Sequence, residues 1–132
     1  MGVLQEVKAE RPDFIVLSGW EDLILPALLA RTDGSICAFA NVAPKLFVDL
    51  VWSARNGDLD RAAELHRRVL RLVTLGTHSD PAIGAVKLAM KILGVPISPA
   101  VRGPALPADE GAREGLEAVL RDAGLSPVPG RT

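Results

Sequence analysis

Phe14-Ile15-Val16-Leu17-Ser18-Gly19-Trp20-Glu21 and Gly34-Ser35-Ile36-Cys37-Ala38-Phe39-Ala40-Asn41-Val42-Ala43-Pro44 are the two passages on which the fold turns. Phe14 to Leu17 is a continuous apolar run too brief for a helix, and such runs suit a strand buried on both faces. Ser18-Gly19 ends it. From Glu21 the pattern becomes helical: Leu23, Leu25, Leu28 and Leu29 form an apolar face, with Glu21 and Asp22 in the first turn and Arg31 in the last, as the helix dipole favours. Thr32-Asp33-Gly34 turns the chain back into a second strand, Ile36 to Phe39. Two buried strands joined through one amphipathic helix imply parallel strands in a helix-covered sheet, the α/β class.

Met1 to Arg11 reads as a helix carrying Val3, Leu4 and Val7, and Pro12-Asp13 breaks it. Pro44 is placed to open a helix over Lys45 to Arg55, which Asn56-Gly57 closes. Asp58 caps a longer helix in which Leu59, Ala62, Ala63, Val69, Leu70 and Val73 recur at three- and four-residue steps. Asp80-Pro81 starts another, with Ile83, Val86, Met90 and Leu93 as its buried stripe and Gly94 and Pro96 as its stop. Pro96 to Pro107 is a proline-rich connector. The last helix runs from near Asp109 to Ala123, with Arg113/Glu117 and Glu117/Arg121 four apart, and Gly124 ends it. Ser126 to Thr132 reads as a frayed tail. The organisation is a strand-bearing region over residues 1–56, a helical region over 57–125, and a tail over 126–132.

Composition excludes several classes. The 132 residues fit one domain, and 48% hydrophobic content is ample for a core. A formal net charge of -1 and a pI near 6.1 give no basic footprint for nucleic acid or for an anionic membrane. No run approaches the ~20 apolar residues of a membrane span, and the first residues carry Glu6, Lys8, Glu10 and Arg11 where a signal peptide has its apolar centre. A soluble, cytoplasmic protein is expected, with no nucleic-acid or membrane partner. Cys37 is the single cysteine and sits in an apolar run, where it reads as a small buried hydrophobe. His66 and His78 lie apart from any cluster with ligand spacing, so neither a metal nor a cofactor is expected.

Leu17-Ser18-Gly19, Asp33-Gly34, Asn41-Val42-Ala43-Pro44, Asn56-Gly57-Asp58, Val86-Lys87 leading to Leu93-Gly94, Arg102-Gly103-Pro104 and Asp122-Ala123-Gly124-Leu125 are individually common. In this order and spacing they resemble the C-terminal part of the dihydrodipicolinate synthase and N-acetylneuraminate lyase family, the Schiff-base-forming class I pyruvate aldolases built on a TIM (β/α)8 barrel. The resemblance covers nearly the whole chain. It implies that Phe14 to Ser18 is the seventh barrel strand, that Ile36 to Phe39 is the eighth, and that the helices after Gly57 are a C-terminal extension. A complete barrel of this kind needs about 250 residues, so the fold expected here is a C-terminal fragment of one.

The resemblance implies few site residues: Gly19 and Glu21 at the end of the seventh strand, and Ile36 against a pyruvyl group on the eighth. Trp20 departs from the commoner acidic residue, Arg31 from a helix-ending glycine, and Ala38 from the hydroxyl found in sugar-acid lyases. The family's Schiff-base lysine, catalytic tyrosine and threonine pair belong to earlier strands, and this chain has no tyrosine. Lys8, Lys45, Lys87 and Lys91 all fall on predicted helices, whereas imine chemistry needs a desolvated lysine at a strand end. The expectation is therefore a portion of a lyase or aldolase acting on pyruvate or a 2-keto acid, with no catalytic residue of its own and inactive as an isolated chain. A separate N-terminal half-barrel chain, or self-association into a homo-oligomer, would cover the strand edges. The alternative reading is a non-enzymatic interaction or dimerisation module.

Overall fold

The computed structural model describes residues 2–78 and 82–127. Its element order is α1 (Gly2–Glu10), β1 (Leu17–Ser18), α2 (Ile24–Leu29), β2 (Gly34–Ser35), α3 (Pro44–Arg55), α4 (Leu59–Val73), α5 (Ile83–Ile92) and α6 (Arg113–Asp122), with short 3-10 turns between several of them. The two strands pair in parallel with Leu17 opposite Gly34 and Ser18 opposite Ser35. The strand-helix-strand reading of the sequence is therefore realised, but in miniature.

The strands are shorter and barer than the apolar runs suggest. Phe14 and Ile15 precede β1 and are exposed, Ile15 by 70%. The second strand is also displaced: it is Gly34–Ser35 and not the expected Ile36 to Phe39, and beyond it the chain leaves extended structure at once, with Phe39–Asn41 a 3-10 turn. The physical reason is pairing: each strand has one neighbour, so only the positions facing it gain a ladder. Two bonds extend that ladder, Asp33 N–H to the Val16 carbonyl and Ile36 N–H to the Ser18 carbonyl, both 2.8 Å.

The predicted helix from Glu21 is divided into a 3-10 turn, Glu21–Leu23, and α2. Pro26 explains the division. It has no N–H to give the Asp22 carbonyl four residues earlier, so an unbroken α-helix loses a bond there. That carbonyl instead accepts from Nε2 of His66 on α4, 3.1 Å away. The buried face is also not the expected one: Ile24 and Ala27 are buried, while Leu23 and Leu29 are exposed.

The core lies in the helical layer. Ile24, Leu50, Leu65, Val69, Leu72, Leu75 and Leu116 are fully buried within one apolar cluster. On α4 the buried stripe is Ala62, Leu65, Val69 and Leu72, so the predicted Leu59 and Leu70 are exposed instead. On α5 it is Gly84, Ala85, Val86 and Ala89, and Ile83 is exposed. Small residues set that choice. A Cβ on Gly84 would stand 2.6 Å from the Ala108 amide nitrogen and 2.7 Å from the Leu106 carbonyl oxygen, so the connector lies directly on α5. The helix opening expected at Asp80-Pro81, and the tail beyond Pro127, lie outside the described residues.

Four helices close in the same way. After α3, α5 and α6 the residues Gly57, Gly94 and Gly124 have positive φ, and each closure pairs a C′ and a C″ amide with carbonyls of the last turn. α2 ends with the same two bonds, Arg31 N–H to Leu28 and Thr32 N–H to Ala27, both 3.0 Å. Here Arg31 takes the left-handed position, at φ 77°.

Candidate functional site

In parallel α/β sheets, ligands gather beyond the carboxyl ends of the strands, where loops converge and backbone groups are left free. In this chain that end is formed by Ser18-Gly19 and Ser35-Ile36. The register brings Gly19 and Ile36 beside one another, each one residue past the paired Ser18 and Ser35. Gly19 is open: a Cβ there would meet nothing within 4 Å. Ile36 is 70% exposed, so its side chain is free of the core among the described residues. Trp20 is exposed as well.

Glu21 does something the sequence did not reveal. It is only 9% exposed, and Oε1 accepts the Phe39 backbone N–H at 3.3 Å. Phe39 opens the 3-10 turn after β2, so the carboxylate links the two loops that leave the strand ends. A buried acid at this position satisfies a backbone donor that an apolar residue would leave unpaired.

Below this end, the Ser35 hydroxyl donates to the Ser18 carbonyl at 2.9 Å and lies 2.7 Å from Cys37 Sγ. Burial pushes the Cys37 thiol upward, the Ser35 contact opposes this, and the charge of Glu21 adds to the rise. The thiol is thus protonated at neutral pH and a poor nucleophile. Cys37 borders a groove of about 410 Å³ between the strands and α3, whose walls include Leu17, Phe47, Val48 and Trp52. Val48 and Trp52 are exposed along it.

At the opposite end of the strands, Asp33 is a junction. Oδ2 accepts from Lys8 Nζ at 2.6 Å and from the Val16 amide at 2.7 Å, and its backbone carbonyl accepts from the Arg55 guanidinium. The Lys8 ammonium, then the Val16 amide, hold the Asp33 carboxyl below its ordinary value. Lys8 is thereby fixed on α1. Lys45 pairs with Asp49 at 2.7 Å and Lys87 donates to the Ala100 carbonyl. Each of these lysines sits on a helix, as the sequence suggested. Among the described residues no group of three or more His, Cys, Asp or Glu is placed to hold a metal, and no helix is long and apolar enough to cross a membrane.

Comparison with known proteins decides the lineage of this arrangement. The model of the dihydrodipicolinate synthetase family matches residues 1–123. The chain belongs to that family. Among curated relatives, an uncharacterized DapA-like lyase of Thermofilum pendens is 39% identical over 123 residues, 93% of this chain and 41% of the relative. A probable 2-dehydro-3-deoxy-D-pentonate aldolase of Escherichia coli is 34% identical over 96% of this chain and 42% of its own length. A 4-hydroxy-tetrahydrodipicolinate synthase of Methanopyrus kandleri is 39% identical over 98% and 43%. Among solved structures, Escherichia coli YagE in complex with pyruvate superposes with a TM-score of 0.87 at 34% identity, over 92% of this chain and 41% of that one. The chain spans about two fifths of these family members and aligns with their C-terminal part. A lyase and aldolase ancestry is thus established at the level of the family, over part of the full-length enzyme's length.

Proposed function

We propose that this chain is the C-terminal wall of a class I pyruvate lyase or aldolase, completed by residues equivalent to the first three fifths of its relatives. The observation that carries this reading is the pair of parallel strands whose outer edges and apolar flanks, Phe14, Ile15 and Ile36, are bare. A parallel pair is stable only within a larger helix-covered sheet.

In the completed barrel, Gly19 lets its backbone approach the substrate, Ile36 packs against the pyruvyl group, and Glu21 shapes the mouth. The region over 1–56 is the barrel portion, and 57–125 is the extension that shares one core with it and supports assembly. The amine that forms the imine with pyruvate or another 2-keto acid comes from the complementary part. This chain's four lysines have no strand-end position, and it has no tyrosine. By itself it is inactive on this reading.

Complementation tests the proposal. The first six strand-helix units of a relative are expressed with this chain, and the mixture is examined by sedimentation and for pyruvate turnover. A stable heterocomplex with turnover absent from either component supports it. Failure to associate, or a self-sufficient homo-oligomer indifferent to pyruvate, supports an interaction module instead.

A further inference from the structure

A second cavity, of about 450 Å³, lies between α5, the proline-rich connector and the 3-10 turn after β2. Its walls are of two kinds. Val86, Met90 and Val101 give an aliphatic surface, whereas Asn41, Lys87 and Arg102 bring polar groups to it. The charged groups of this lining are both cations, and neither takes part in an ion pair among the described residues. Lys87 is anchored by the Ala100 carbonyl, which fixes the ammonium beside the connector. Asn41 is held through Nδ2 by the Ala38 carbonyl at 2.9 Å.

We propose that this cavity binds small aliphatic carboxylates, with the carboxylate between Lys87 and Arg102 and the hydrocarbon body on Val86, Met90 and Val101. Two cations with no acid beside them in the lining among the described residues repel one another, and an anion relieves that repulsion. The planar Arg102 guanidinium suits a carboxylate in particular, because it presents paired donors. An apolar wall with a few convergent polar groups is the common build of small-molecule sites, and this volume falls within their usual range. The site is separate from the Gly19/Ile36 strand ends and does not depend on the activity proposed above. It shares with them only the 3-10 turn that Glu21 holds.

Methyl-labelled methionine gives a resonance in the cavity, that of Met90. The whole chain is titrated with hexanoate while the Met90 methyl is followed by NMR. A saturable shift is expected for Met90. Arg102→Gln weakens the apparent affinity by about tenfold or more, the usual scale for losing a charge-assisted contact, and Arg102→Lys restores part of it. The proposal is overturned by a Met90 resonance that does not respond or stays at its unfolded-chain position, by an equal response to hexan-1-ol, or by unchanged affinity in Arg102→Gln. Pyruvate turnover plays no part in this readout, so its failure is distinct from failure of complementation.

Discussion

The Phe39 backbone N–H donates to Glu21 Oε1 across 18 residues of sequence, joining the loop after β1 to the turn after β2. The bond is buried, so its loss leaves a donor without water to replace the acceptor. Glu21→Ala is expected to cost about 1–3 kcal/mol. Glu21→Gln, whose amide oxygen still accepts, is expected to cost much less. Thermal unfolding measures the difference, and hydrogen exchange at the Phe39 amide locates it: faster in the alanine variant, near native in the glutamine one.

Arg31 occupies a left-handed position that glycine fills at the three comparable helix ends. A non-glycine residue there carries about 1–2 kcal/mol of steric strain, partly offset by the greater chain entropy that glycine loses on folding. Arg31→Gly is expected to raise stability by up to about 1 kcal/mol, and Arg31→Val to lower it. A lower melting temperature for the glycine variant would contradict the strain argument.

Gly84 is where α5 and the connector touch backbone to backbone. A methyl group there has no flexible neighbour to displace, so Gly84→Ala is expected to destabilise by about 1–3 kcal/mol, as overpacking does. In an exposed helix the same change would stabilise. The sign of the shift in denaturant midpoint therefore reports whether the connector is seated as described.

Asp33 sets an acid limit on the N-terminal region. Its carboxyl is held below the ordinary value in the folded chain by Lys8 and the Val16 amide. The stabilisation is therefore fully present above the unfolded value, about 3.9, and is lost as pH falls through the lower folded value. Asp33→Asn removes this dependence. Unfolding curves for the two proteins should converge as pH falls through that window and separate above it, and parallel curves would refute the assignment.

Much of this was legible from local chemistry. Gly57, Gly94 and Gly124 marked helix ends, Asp58 accepts the Arg61 amide at 3.1 Å as a cap should, and the apolar run from Phe14 leads into the first of two parallel strands, whereas the second, Gly34–Ser35, precedes the run at Ile36 instead of lying in it. What local pattern could not carry was burial. Leu23, Leu59, Leu70 and Ile83 satisfy a helical period yet are exposed, because packing is chosen by partners distant in sequence. Pro26 divides the first crossover although the leucines around it keep a helical period. At the candidate site, neighbouring Gly19 and Ile36 follow from the register, whereas the inward turn of Glu21 depends on a backbone amide 18 residues away.

The central claim, that this chain is a barrel wall without the imine-forming lysine, is tested most directly by reductive trapping. The chain and its complementary half are incubated together with pyruvate and borohydride, and each is weighed by intact mass. An adduct on the complementary half alone is predicted. An adduct on this chain would contradict the claim, and no adduct on either would contradict its place in a pyruvate lyase.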